Sequence, residues 1–424
     1  MEKFHDEKKL IQFCGAKTKK ANKLNQFHIM KKLNLLFLML IGASVMFTSC
    51  SDDDPTPTPN PDPEDEMVLD GNITEDRTLE SGNVYTLASR VSVLDGVTLT
   101  IEPGVIIKGE AGSGANATAL IIARGGKIMA EGTADSPIIF TTIADEIQPG
   151  EVFHADGLAP TQNGLWGGLL VLGKARISPE GGTTEKQIEG IPPSDSNGLY
   201  GGEDDEDNSG VLKYVSIRHG GANLGDGNEI NGLTLGGVGS GTVIENVEVV
   251  GNQDDGIEWF GGTVSVKNAV VWNAGDDAID ADMAWNGTLD NFIVVNGGDK
   301  CFELDGPEAS YVNGNYTLTN GSVIAGGAAG LVDNDDNTNV NMSNIYFTSV
   351  MAGQTFDQLP TVDHEFSNFE ITLPEGSTVE DFFKGGSAAF ATAVAEGENT
   401  VGADKSAFAG WSWTAASGSL DILK

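Results

Sequence analysis

Short alternations of apolar and polar residues run along most of the chain. "VTLTIEPGVIIKG" from Val97, "ALIIARGGKIMAEG" from Ala119, "PIIFTT" from Pro137 and "LWGGLLVLGKA" from Leu165 read as strands of period two, cut by Gly and Pro. Further on the pattern becomes a repeat. "IENVEV" from Ile244 is followed by "VKNAVV" from Val266, "LDNFIV" from Leu289, "LTNGSV" from Leu318 and "MSNIYF" from Met342. An asparagine returns at 246, 268, 291, 320 and 344, at spacings of 22 to 29 residues. "LKYVSIRHGG" from Leu212 aligns with the same unit. The repeat shows no amphipathic helix, and the Leu-x-x-Leu-x-Leu of leucine-rich repeats is absent.

Strand-rich units of this length predict a parallel β-solenoid in which each unit is one coil. Coils stack at the strand spacing of about 4.8 Å, so equivalent residues form columns along the long axis. The recurring asparagines are expected to form an internal ladder of side-chain amides. This resembles the asparagine ladder of right-handed parallel β-helices, a hand that fits the preference of parallel crossovers. The fold class expected is therefore all-β, a right-handed parallel β-helix over residues 68–374. Residues 375–424 lose the period, and "FAGWSWTAASGSLDILK" is expected to cap the last coil, whose strand edges are otherwise unpaired.

Before the repeat, "MKKLNLLFLMLIGASVMFTSC" from Met30 has two lysines, an apolar run and small residues ahead of Cys50. It resembles a bacterial lipoprotein signal over 30–50, with Phe47-Thr48-Ser49-Cys50 as a loose lipobox, Cys50 as the lipidated residue and 1–29 as an upstream extension. Residues 51–67, opening "SDDDPTPTPNPDPEDE", read as a disordered acidic Pro/Thr tether. Together with "IEPGVIIKGE" and "LIIARGGKIMAEGTADSPIIFT", these features resemble Bacteroidetes β-helix lipoproteins of unknown function. The resemblance implies an outer-membrane lipoprotein, held by its lipid anchor and exposed at the cell surface.

Charge narrows the partners. The whole chain has 24 basic and 62 acidic residues; removing the 9 and 3 of residues 1–50 leaves 15 against 59, about −44. Such a surface excludes nucleic acid and attracts cations. After Cys50 only Cys301 is left, so no disulfide within the mature chain is expected. A monomer is expected. His154, His219 and His364 are scattered, which argues against a histidine metal site.

The candidate chemistry lies in three units, "GNQDDGIEW" from Gly251, "NAGDDAIDA" from Asn273 and "NGGDKCFEL" from Asn296. If Ile257, Ile279 and Phe302 point inward, alternation sends Glu258, Asp280 and Glu303 outward in one column, with Asp282 and Asp305 two residues on. Adjacent carboxylates repel unless water, a cation or a proton separates them. The next unit, Ala328 to Val332, has no acid, so the acids are not needed to build a coil. "DNDDNTN" from Asp333 reads as a solvated loop. Oxygen ligands one coil apart suit Ca2+, with Glu258, Asp280, Asp282, Glu303 and Asp305 as candidate ligands. Alternatively, acids on this face serve only turns and solubility.

Two enzyme families are similar in part. Pectate lyases hold Ca2+ on such a face and use a nearby Lys or Arg as base, which implies Lys300 here. In polygalacturonases, Asn-Thr-Asp-Gly-Ile and Gly-Asp-Asp-Cys-Ile carry three catalytic aspartates. Gln253 to Ile257 and Gly275 to Ile279 match in spacing, which implies Asp255, Asp276 and Asp277; the family's Gly-His-Gly and Arg-x-Lys motifs are missing. Trp272 and Trp285 are candidates for stacking on a sugar, with Trp259 inward. The leading expectation is a surface module binding glycan or cation. The alternatives are a polysaccharide lyase or polygalacturonase-like hydrolase acting on acidic polysaccharide, and a structural or adhesive surface protein.

Overall fold

Each coil contributes strands that pair in parallel with their equivalents in the neighbouring coils. The computed structural model describes residues 66–112, 114–222, 230–309 and 314–424. Three faces result. In Gly210–Arg218, residues 210–213 pair with Lys127–Glu131, while residues 215–217 pair with Ile138–Thr142. One long strand therefore bends across the first two faces. The third face is an eight-stranded sheet from Arg90–Val93 to Gly330–Asn334, stacked in chain order. The chain is a right-handed parallel β-helix.

The bend is where the asparagines sit. Asn246, Asn268, Asn291, Asn320, Asn344 and Asn368 all have φ between 55° and 59°. Asparagine enters this left-handed region more readily than other residues with a Cβ. The amides then form a ladder: Asn268 Nδ2 donates to Asn246 Oδ1 at 2.9 Å, and Asn291 to Asn268 at 2.7 Å. Asn344 donates to Asn320 and Asn368 to Asn344 at 3.2 and 3.1 Å. Between the two runs Asn320 bonds Asp290 instead. The ladder is not internal as the repeat suggested. It lies at a corner, with Asn246 and Asn291 buried, Asn268, Asn320 and Asn344 half-buried and Asn368 exposed, because a left-handed residue turns its side chain out of the strand alternation.

The interior is apolar. Val247, Ala269, Phe292, Gly321, Ile345 and Phe369 follow one another at one position of the second face. Gly321 is required there: a Cβ would fall 2.2 Å from Phe292 Cζ.

Residues 375–424 divide in two. Val379–Phe382 and Ala391–Ala393 lie at the end of the helix, with Phe382 and Phe383 entering the core beside Phe356. The final segment does not cap that end. Phe408, Trp411, Trp413, Leu420 and Leu423 lie along the flank, on outward residues of the second face such as Val250, Val270 and Ile293. The apolar outward stripe explains the difference, since it needs cover as much as the open end does.

An arm, residues 176–204, leaves the coil after Leu169–Leu172 and lies on the outside of the third face. Its hairpin pairs Lys186–Gln187 with Leu199–Tyr200. Ile177, Ile188, Ile191 and Tyr200 pack on Leu172, Phe260 and Met283. Tyr200 is seated over Gly236, where a Cβ would meet its ring at 3.0 Å.

The corner gives a stability test. Asn268→Ala loses two ladder bonds, about 1 kcal/mol each, and strains the backbone by about 1–2 kcal/mol. Asn268→Gly loses the bonds alone. Denaturant unfolding is expected to rank wild type above Gly and Gly above Ala; equal Gly and Ala values would remove the backbone argument.

Candidate functional site

Third-face strands Ile257–Phe260, Ile279–Met283, Lys300–Leu304 and Gly330–Asn334 carry the acids. Ile257 lies opposite Ile279, and Ile279 opposite Phe302, all within the core. Glu258, Asp280 and Glu303 are therefore in register on the outer side. Asp333 continues the column opposite Glu303, so the fourth coil does carry an acid. The sequence alignment stopped one residue short of it, and Asp333 belongs to a strand rather than a solvated loop. Asp282, two residues on from Asp280, does not pair with Phe260, two residues on from Glu258, as strict alternation requires. A bulge after Trp259 pairs Phe260 with Met283 and leaves Asp282 as the extra residue. Asp305 lies just beyond its strand, its N–H donating to the Ala281 carbonyl.

The turn acids also stack. Asp255 Oδ1 accepts the Asp277 N–H at 2.8 Å, and Asp277 Oδ1 accepts the Lys300 N–H at 2.5 Å. Each caps the backbone of the next coil. Their carboxyls also reach the outward acids one coil on: Asp255 meets Asp280, and Asp277 meets Glu303. Asn231, at the same turn position one coil earlier, uses its amide Nδ2 to bond Glu258. An amide can donate to a carboxylate. Two ionised carboxyls in contact cannot satisfy each other without a proton or a cation between them.

Burial makes this demand severe. Asp255, Glu258, Asp277 and Asp280 are 8%, 4%, 3% and 8% exposed. Oxygens of Asp255, Glu258 and Asp280 all lie within 4.8 Å of one another. Asp280 Oδ1, Asp282 Oδ2, Asn231 Oδ1 and the Tyr200 hydroxyl are buried and lack a hydrogen-bond partner among the described residues. Glu248 provides the contrast. It is fully buried on the second face, yet accepts from Ser216 Oγ, Trp413 N, Thr414 N and Thr414 Oγ1 at 2.6, 3.1, 2.8 and 2.7 Å. Arg218 stands 3.8 Å away. The protein satisfies that carboxylate with four donors of its own, whereas among the described residues Asp255, Asp277 and Glu258 each have a single N–H donor.

Desolvation pushes Asp255 up to about 7 and Asp277 up to about 9, with the charges of Asp276 and Asp255 respectively adding to the shift. Burial likewise raises Glu258 and Asp280 well above the usual carboxylate range, and raises Asp305 to about 7 and Asp282 to about 6. Lys300 Nζ pairs with Asp299 and lies 3.9 Å from Asp333. Burial works to lower its pKa, but the Asp299 bond and the charges of Asp299, Asp277 and Asp333 outweigh this and raise it. An ammonium held charged is a poor base.

Of the polygalacturonase-like set, only Asp276 is exposed; Asp255 and Asp277 are buried amide caps. The two tryptophans are not sugar platforms. Trp285 lies in the core, stacked on Trp259 at 4.7 Å and bonded to the Val264 carbonyl. Trp272 is covered by the C-terminal segment, edge-on to Trp413 at 5.7 Å. Local parity gave no sign of either cover. Asn231 was missed, although "EINGLTL" aligns with "QDDGIEW" one coil on. Tyr200 and Glu189 come from the arm, which the repeat does not predict.

A family model described as a pectate-lyase-like β-helix domain matches residues 71–414. The chain belongs to this family. No curated protein and no solved structure matches it. Membership in the pectate-lyase-like β-helix family points to a carbohydrate-related function and leaves the reaction open, because one fold hosts many chemistries.

The raised carboxyls set a pH dependence for the ion-free protein. Between the unfolded value near 4 and the folded values of about 7 and 9, the folded state binds more protons than the unfolded one. Stability is then complete below about pH 4 and falls as pH rises through that window, by about 1.4 kcal/mol per unit for each group still protonated only when folded. Unfolding in chelator is expected to show a lower midpoint at pH 8.5 than at pH 5, with the slope reduced in Asp277→Asn. A flat profile would mean these carboxyls are solvated.

Proposed function

We propose that this β-helix domain is a non-catalytic, carbohydrate-related protein of the cell envelope that holds a divalent cation at Asp255, Glu258 and Asp280. One observation carries the reading: three buried carboxyls converge within 4.8 Å, beside buried oxygens of Asn231 and Asp280 that lack partners among the described residues. The donors are all oxygen, and Cys301 lies inside the core. Hard oxygen donors in loose geometry favour Ca2+ over Zn2+. A bound ion would supply the positive charge that the carboxyl pairs lack. Asn231 and the turn backbone fix where the acids stand, and the arm keeps water from them. Towards the other end of the column Lys300 serves as the counter-ion, which supports a binding role over a lyase.

Asp255 and Asp277 are buried and Lys300 is held charged, which leaves the exposed Asp276 without its two companions, so polysaccharide is read as a partner of the domain and not as its substrate. The segment ending at Cys50 and the tether to residue 65 lie outside the described residues. Its likeness to a lipoprotein signal supports attachment to the outer membrane through a lipid on Cys50, with the helix facing outward.

Titration calorimetry of chelator-treated protein with Ca2+ at pH 7.5 is expected to give one site and a raised melting temperature. At 100 times its Kd the ion adds about 2.7 kcal/mol. Glu258→Gln and Asp280→Asn are expected to abolish both effects; no heat and no melting shift in wild type would end the cation reading. Radiolabelled palmitate is expected to enter the wild-type protein in cells and not Cys50→Ala; equal labelling would remove the anchor.

A further inference from the structure

The arm brings two further oxygens to the acidic cluster. Asn231 Nδ2, which bonds Glu258, also lies 3.5 Å from Glu189 Oε1 on the arm. The Tyr200 hydroxyl, on the arm's hairpin, is 1% exposed and without a partner among the described residues. Its neighbours are Asp282, Glu258, Glu308 and Glu189, whose charges, after burial, hold its proton on. The arm is otherwise fastened at its edges: Lys186 to Glu308 at 3.7 Å, Arg124 to Glu185, and Arg176 to Asp205. At its centre, the charge of Glu189 acts on Asp255 and Glu258.

We propose that Glu189 and Tyr200 complete the cation site, so that the ion ties the arm to the third face. This rests on the cation reading above and adds to it a coupling between ion and arm. Without the ion, like charges on arm and face repel at the arm's centre, and the apolar seat of Ile188, Ile191 and Tyr200 together with the edge ion pairs holds the arm down against them. With the ion, the same carboxyls attract through a shared positive charge. The ion thus favours the closed arm because only that state offers all its oxygens, which is the differential affinity any such coupling requires. The consequence reaches further. The arm's other side walls a cleft of about 660 Å3, between Glu185 and Asn197 on the arm and Arg124 and Lys174 on the coils. Ion occupancy therefore sets the width of that cleft.

Hydrogen exchange of the full chain, with and without Ca2+, tests this through peptides covering residues 186–200. Wild type is expected to slow about tenfold on adding Ca2+, equivalent to ~1.4 kcal/mol of arm closure. Glu189→Gln removes repulsion and ligand together, so its ion-free arm is expected to exchange more slowly than ion-free wild type and to respond little to Ca2+. Tyr200→Phe keeps the ring in its seat and is expected to weaken Ca2+ binding while folding normally. Calorimetric Ca2+ binding with no change in arm exchange would overturn the coupling and leave the site intact. No Ca2+ binding at all would overturn both.

Discussion

In-register stacking is the constraint on which this molecule depends. Each coil places the same position of the sequence directly beside its equivalent, so a side chain must be compatible with copies of its own kind. Apolar residues meet this condition by packing, as in the column through Phe292 and Ile345. Asparagine meets it because an amide both donates and accepts, and the corner ladder satisfies itself. An ionised carboxylate only accepts, so a ladder of them cannot close on itself. The third face is the place where the chain stacks acids regardless and buries them, so that a proton or a cation must stand between them.

The molecule shows three ways of meeting that demand. Asn231 stands at the first turn of the column and gives Glu258 a proton donor. Lys300 stands further along it and gives Asp299 and Asp333 an ammonium. Between them, Asp255 and Asp280 meet with neither. Glu248, by contrast, draws on Ser216 and on a segment from the end of the chain, so burial alone does not call for an ion. What sets the proposed cation site apart is that, among the described residues, its buried carboxyls meet one another with fewer donors than Glu248 has.

Much of this was legible in the sequence, and the boundary is physical. Period and parity are local, so the recurring asparagine and the Ile257, Ile279, Phe302 alternation were enough to place Glu258, Asp280 and Glu303 in one column. Parity failed at Asp282, where a bulge adds a residue without a local signal. The reading of Trp272 and Trp285 as exposed failed for another reason. Whether an outward residue sees solvent depends on what lies over it, and the cover of Trp272 comes from more than 100 residues away. The arm that supplies Tyr200 and Glu189 has no place in the repeat, so nothing periodic points to it. The family match, over residues 71–414, agrees with the coil, which the sequence shows plainly.

The most direct test is anomalous diffraction from crystals grown with Ca2+ at neutral pH, recorded at long wavelength. One anomalous peak is expected, bounded by carboxylate oxygens of Asp255, Glu258 and Asp280. An empty position there, with Asp255 and Asp280 closed on each other across a shared proton, would contradict it.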